Sequence, residues 1–430
     1  MKVLVFWTNF GPYHIARLLA AADVFSEHAW ELLAVQIADR EATRPWEWKS
    51  VRGTLRVKTL FRDSVYEEIP SLTRASRMLS FLRQENPDCL VVPGYGAAEC
   101  RAALAWARGR KRPAILMSDS KKDGEQRSWM KEWLKKRVVR RFDAAVVGGA
   151  PQVRYAELLG IPRGKIFVGY DVVDNDFFRT RANLARQNGG TLRKRLGLPP
   201  EYFLTVCRFD PVKNLAGLIR AYADYRRKRG STAWALVLCG SGKVEPEIRR
   251  GISKFRLHSV LLPGFVQISD LPTYYGLASC YIAPSLKDTW NLSVNEAMAS
   301  GLPVLVSRSC GCVEDLVRDG VNGFTFEPRR MDHLSNLMDD VSSGRGDLER
   351  MAEASRQIIS RWSPETFAQA LVMAVKAALG ANEECCLLGD RDLLKPMRAD
   401  DGSQSDGRLA HSCRSSVSGR IESPAGGLTL

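Results

Sequence analysis

Apolar runs of three to six residues return along the chain. Between them, apolar positions recur every three or four residues over roughly ten to twenty positions. In the first half the runs fall at 3–7, 32–37, 89–92, 114–117 and 144–147; in the second they fall at 203–206, 235–238, 260–262, 280–283 and 304–306. Short, nearly continuous runs read as strands buried on both faces, and periodic stretches such as 214–228 and 291–300 read as helices packed on them. This alternation predicts an α/β fold of parallel sheets wound by helices, in two separate units. A length of 430 residues also exceeds what one core accommodates.

The polar, basic stretch "RTRANLARQNGGTLRKRLG" (179–197) reads as the join, with a first domain at 1–180 and a second at 181–363. A last helical segment follows over 364–380, with Ser363 as its cap and Pro364 in its first position. Beyond it periodicity fades. Residues 381–430 read as a disordered tail, rich in Ser, Gly, Asp and Arg from 399 onward. There is no internal repeat.

Composition changes this picture little: 45% hydrophobic and 26% charged is ordinary for a globular protein. No apolar run reaches 18 residues, so no membrane-spanning helix is expected. The opening "MKVLVFWTNFGPYH" is too short in its apolar part for a signal peptide and reads as a buried strand entering a glycine turn, which predicts a cytoplasmic protein. Several of the ten cysteines sit in strand-like runs and read as small buried hydrophobes. Cys310-Gly-Cys312 and Cys385-Cys386 lack zinc-site spacing, and no metal is expected. The formal charge of +15 favours phosphate-rich partners: nucleic acid, an anionic membrane surface or a phosphorylated substrate. No zinc-finger or RNP-type motif accompanies it, which argues against nucleic acid.

In facing α/β units, ligands bind just beyond strand ends, and four stretches fall there. Gly11, with His14 at the start of the next helix, offers a tight turn and free amides to an acceptor or phosphate; a plain turn with a surface histidine fits equally. Arg208 and Lys213 flank Asp-Pro before a helix, a spacing that suits a diphosphate, with two solvated charges as the alternative. Gly240-Ser-Gly242 allows close approach to a nucleotide or is a simple turn. In "SLKDTWNLSVNEAMASGLPVLVS", Asp288 lies on the loop and Glu296 in what reads as the first helical turn. They flank the amides of Leu292 and Ser293, a phosphate cradle. A carboxylate there suits vicinal sugar hydroxyls, although a first-turn acid is also favoured by the helix dipole alone.

"PSLKDTWNLSVNEAMASGLPVLVS" with the following "EDLVRDGVNGFTFEP" resembles the signature of retaining glycosyltransferases of family 4. The Arg208…Lys213 pair and "GYDVVDNDFF" (169–178) match as well, and the resemblance is specific from about 165 to 330. It implies the GT-B fold: two Rossmann-like domains facing across a cleft, with a C-terminal helix crossing back. It also implies transfer of a sugar from a nucleotide-diphosphate donor to a sugar or lipid-linked acceptor, with retention and without a metal or other cofactor. In that mapping Glu296 binds the donor ribose. Arg208 and Lys213 bind the diphosphate and stabilise the leaving nucleotide. Asp288, Asn291, Leu292 and Ser293 line the sugar and phosphate region, and Gly240 and Gly242 lie on the donor side.

Three positions depart from the family pattern. Asp288 stands where Glu is usual, Asn291 where Gly is usual, and "SDSKKD" lacks the common histidine, leaving Asp119 as its candidate substitute. A non-catalytic nucleotide-sugar-binding scaffold is the rival reading; a nucleotide-sugar epimerase is another, without specific support.

"QRSWMKEWLKKRVVRRFD" (126–143) carries seven cationic residues, and as a helix it sets Trp129, Met130, Trp133, Leu134 and Val138 along one face. Trp129 and Trp133 beside Lys135, Lys136 and Arg137 predict docking on an anionic membrane surface, peripheral on the inner face; a core helix is the alternative.

Overall fold

The apolar runs form the centres of two parallel sheets. The computed structural model describes residues 1–42, 55–122, 128–344 and 347–380; the proposed tail, 381–430, lies outside them. The first sheet comprises β1 (Lys2–Trp7), β2 (Glu31–Arg40), β3 (Arg56–Val65), β4 (Cys89–Pro93), β5 (Ala114–Ser118), β6 (Ala144–Val147) and β7 (Ile166–Val168), in the order β3-β2-β1-β4-β5-β6-β7. The second comprises β8 (Tyr202–Val206), β9 (Ala235–Cys239), β10 (Val260–Gly264), β11 (Cys280–Ala283), β12 (Val304–Ser307) and β13 (Gly323–Phe326), in the order β10-β9-β8-β11-β12-β13. Every pairing is parallel. In each sheet the chain reverses direction once, between β1 and β4 and between β8 and β11. Ligand crevices form at such points.

All ten predicted runs are strands, and three further strands, β3, β7 and β13, were not legible as runs. β3, "RVKTLFRDSV", lies at a sheet edge and buries only Leu60, so it alternates where a central strand would run apolar. β7 spans only three residues, and β13, "GFTF", holds two separated phenylalanines in place of a run. The first helix also starts earlier than expected, at Pro12 in the first turn of Pro12–Glu27 and not at His14.

The basic join is itself helical, Asn175–Gln187 followed by Gly189–Leu196. It buries Phe178, Ala182 and Ala185, and Arg186 and Arg193 donate to the carbonyls of Ser300 and Leu277. The last helix, Pro364–Ala378, is capped by Ser363 Oγ, which accepts from the Thr366 amide at 3.4 Å. It crosses back to pack on β5, β6, β7 and the helix Pro12–Glu27, with Phe367 tilted against Trp7 and Tyr170. The described cysteines are buried or half-buried and unpaired. Among the described residues no helix is long and apolar enough to cross a membrane.

Candidate active site

Both reversal points carry the polar residues picked out in the sequence. Beyond β8 the chain turns through Arg208 to Lys213. Gly240 and Gly242, after β9, make that turn possible: a Cβ at Gly240 would stand 1.9 Å from the Cys207 carbonyl oxygen, and one at Gly242 2.7 Å from that of Phe209. Both glycines have positive φ, so only the missing side chain lets the two strand-end loops meet. Their part in the site is to shape the loop that carries Arg208. Arg208 is half-exposed and pairs with Asp210 at 3.2 Å.

Beyond β11 the loop carries Asp288 to Lys213, whose ammonium donates to Oδ2 at 2.6 Å; both side chains are largely buried. Burial works to lower the Lys213 pKa, but the attraction of Asp288 outweighs it and the pKa ends up raised. Ser285 Oγ lies 3.4 Å from the same oxygen. The helix Leu292–Ala299 starts at Asn291, whose backbone is left-handed at φ 98°. That conformation accounts for glycine being usual here, and asparagine is among the few other residues that tolerate it.

Glu296 is the fifth residue of this helix, not in its first turn, so the macrodipole does not explain it. It is 2% exposed, and both carboxylate oxygens are taken: Oε1 accepts from the Tyr13 hydroxyl at 2.5 Å and Oε2 from that of Tyr275 at 2.6 Å. Burial pushes its pKa up to about 7, against the lowering effect of the two hydrogen bonds. Tyr13 sits on the helix Pro12–Glu27, beside Gly11 and His14. His14 itself turns back, with Nδ1 accepting from the Gly11 amide at 3.0 Å and its ring 4.9 Å from Trp7. Among these three neighbours, the phenol supplies the reach to Glu296. Neither Tyr13 nor Tyr275 stood out in the sequence; only Tyr13 lay next to residues that did.

The first half closes on this loop at further points. Asp119 accepts from Thr289 Oγ1 at 2.8 Å, and Lys121 donates to the Ser309 carbonyl at 2.5 Å. Gln152 donates to the Thr289 carbonyl at 2.6 Å, and the Ala150 amide donates to Asp315. Asp315 is buried, which raises its pKa to about 7. Trp290 is buried against Trp362 and donates to Asn295 Oδ1 at 2.9 Å. Asp171 is 6% exposed, and its Oδ2 has no hydrogen-bond partner among the described residues. Burial first, then repulsion from Asp119, raise its pKa to about 8, and nearby Arg17 offsets only part of this.

The family model for glycosyl transferases group 1 matches residues 191–358. Those residues are a glycosyl transferases group 1 domain. The loops of Arg208, Lys213 and Asp288, the Glu296 helix and strands β8 to β13 all fall within this group 1 domain. An uncharacterized glycosyltransferase of Methanocaldococcus jannaschii is 26% identical over 226 residues, 52% of this chain and 56% of that relative. An alpha-monoglucosyldiacylglycerol synthase of Acholeplasma laidlawii is 26% identical over 169 residues, 38% of this chain and 42% of that relative. The chain thus spans about half the length of these curated relatives. The crystal structure of Anabaena HepE in complex with UDP-glucose aligns over 88% of this chain and 100% of its own, with a TM-score of 0.67 and 17% identity. The likeness in fold therefore extends beyond the group 1 domain to the first sheet, as a GT-B architecture.

Proposed function

We propose that the protein is a retaining, metal-independent glycosyltransferase of the family 4 type, moving a sugar from a nucleotide-diphosphate sugar to a hydroxyl acceptor in glycan, polysaccharide or glycolipid synthesis. The observation that carries this reading is the Lys213–Asp288 pair at the reversal point of a group 1 domain, eight residues before the buried Glu296. Breaking the glycosyl–phosphate bond leaves negative charge on the departing diphosphate. Arg208, Lys213 and the first-turn amides at Leu292 and Ser293 are the groups to receive it. Asp288 faces the transferred sugar, and Glu296 holds the ribose diol, which takes the place of the Tyr13 hydroxyl on Oε1. Asp119 stands on the acceptor side.

UDP is the first nucleotide to try, since HepE binds UDP-glucose. A thermal-shift panel of nucleoside diphosphates and their sugars, followed by transfer assays with labelled donors, tests the proposal. Stabilisation by a donor together with turnover supports it. Stabilisation without transfer or hydrolysis across the panel favours the non-catalytic scaffold, a reading encouraged by the short acid Asp288. No stabilisation by any member removes both.

Membrane docking belongs to the same proposal. The helix Trp129–Val139 buries only Val139, while Trp129, Met130, Trp133 and Leu134 are 77%, 54%, 48% and 52% exposed. The helix is shorter than the 126–143 stretch, and Arg127 lies outside the described residues. Arg137 stacks over Trp133 at 4.7 Å. Exposed tryptophan beside lysine and arginine suits an anionic bilayer surface. Flotation with anionic vesicles, weakened by Trp129→Ser/Trp133→Ser, is the expected result; equal binding to neutral vesicles would sink this part.

A further inference from the structure

Thr289 and Trp290 stand between Asp288 and Asn291 in the proposed donor loop, and the first half of the chain grips them. The Thr289 hydroxyl donates to Asp119, and the Thr289 carbonyl accepts from Gln152 Nε2 at 2.6 Å. Gln152 is the third residue of the helix Ala150–Leu159 and is fully buried. Its Oε1 accepts from the Gly149 amide at 3.0 Å, so the oxygen is committed to the start of its own helix and the NH2 group faces Thr289. Three glycines leave room for this contact. A Cβ on Gly311 would collide with the Thr289 carbonyl oxygen and stand 2.7 Å from Gln152 Nε2. One on Gly148 or Gly149 would stand 3.1 or 2.8 Å from the Trp290 ring. None of the three has a positive φ, so it is close approach that a side chain there would spoil.

Capping the helix start does not by itself require this residue, because Glu serves at the third helical position as well as Gln does. A carboxylate has no hydrogen to give a carbonyl, whereas the amide caps Gly149 and donates to Thr289 at once. The carbonyl it holds belongs to the residue next to Asp288, whose carboxylate takes the Lys213 ammonium at 2.6 Å. A loop holds a binding group only as firmly as its supporting bonds allow, and here support comes from the opposite half of the chain. We propose that Gln152 is a positioning residue for the sugar end of the donor: by fixing the Thr289 carbonyl it sets where the Asp288 carboxylate stands. Arg208 and Glu296, at the nucleotide end, stand on other elements, so Gln152 matters for the sugar and not for the nucleotide. This inference rests on the glycosyltransferase reading above, and one arm of its test needs no ligand.

The test compares the full wild-type chain with Gln152→Met, which nearly keeps the volume and loses both hydrogen bonds. Gln152→Asn, one methylene too short for Thr289, replaces it if circular dichroism shows the methionine variant unfolded. Glu314→Ala is the control: it breaks the Arg154–Glu314 pair at 2.7 Å, another link between the same helix and the second half, without touching the loop. Hydrogen exchange read by mass spectrometry follows residues 285–292 without ligand, and calorimetry follows UDP and UDP-glucose. In the Gln152 variant the loop should exchange tenfold or more faster, with Glu314→Ala like wild type. UDP-glucose should bind fivefold or more weakly, while UDP changes less than twofold. Loop exchange as slow as in wild type, UDP and UDP-glucose affected alike, or the same effects in Glu314→Ala would overturn the proposal. Wild-type protein that binds neither ligand strikes the donor reading alone, because the exchange arm still decides whether Gln152 holds the loop.

Discussion

Asn291 shows how one position can look like a defect and be a backbone requirement. Its φ of 98° belongs to glycine by preference, and holding a side chain there costs on the order of 1 kcal/mol. Urea unfolding should therefore rank Asn291→Gly at or above wild type, and Asn291→Ala below it by about 1–2 kcal/mol. Alanine as stable as asparagine would contradict this. Tyr13 is the second residue of this kind. Tyr13→Phe strips a partner from buried Glu296, lowering stability by about 1 kcal/mol. If the ribose replaces that hydroxyl, the same variant should bind UDP several-fold more tightly, because nothing competes for Oε1. Weaker or unchanged UDP binding in a titration would show that Tyr13 assists the nucleotide or is irrelevant to it.

At the scale of elements, the loop after β8 depends on the loop after β9. Gly240 has φ 144° and no space for a Cβ against Cys207. Gly240→Ala must displace the turn that carries Arg208. The expected outcome is a loss of about 3 kcal/mol or more in urea unfolding, with the UDP-dependent thermal shift abolished in whatever folds. A variant with normal stability and normal UDP response would mean that the two loops move independently. The helix Trp129–Val139 makes the complementary point. Its apolar face was legible from spacing, but whether that face turned inward depended on the sheet beneath, which takes Val139 and leaves the tryptophans outside.

At the scale of the whole molecule, three buried acids among the described residues have raised pKa values: Asp171 at about 8, and Glu296 and Asp315 at about 7. The proton each retains in the fold is given up more readily by the unfolded chain. The stability it contributes is therefore complete below the unfolded carboxylate range, near pH 4, and is lost as pH rises through the folded value. Asp171→Asn keeps the shape and removes one such proton. Relative to wild type, the variant should gain stability as pH climbs from about 5 to 8 in urea melts. A difference that stays flat across that window would mean Asp171 is already ionised there. All three acids lie at contacts between the first half of the chain and the group 1 domain or beside them: Glu296 with Tyr13, Asp315 with Ala150, and Asp171 with its carbonyl accepting from Asn295.

Several features were readable in the sequence by itself because short-range patterns determine them. Buried strands read as nearly continuous apolar runs, so ten of the thirteen strands among the described residues and the α/β class followed from hydropathy. The Arg208…Lys213 and Asp288…Glu296 spacings sat beyond strand ends, where a parallel sheet exposes its loops. The Ser363 cap and the crossing helix start were legible for the same local reason. Edge strand β3 was not, since half of it faces water, and helices proved to fill the basic join. Tertiary structure alone brought Tyr13 and Tyr275 onto Glu296, Thr289 onto Asp119, and Gln152 onto the Thr289 carbonyl. Such contacts join residues up to 283 positions apart in the chain. Each depends on where two sheets and their loops come to rest, and no local spacing encodes that.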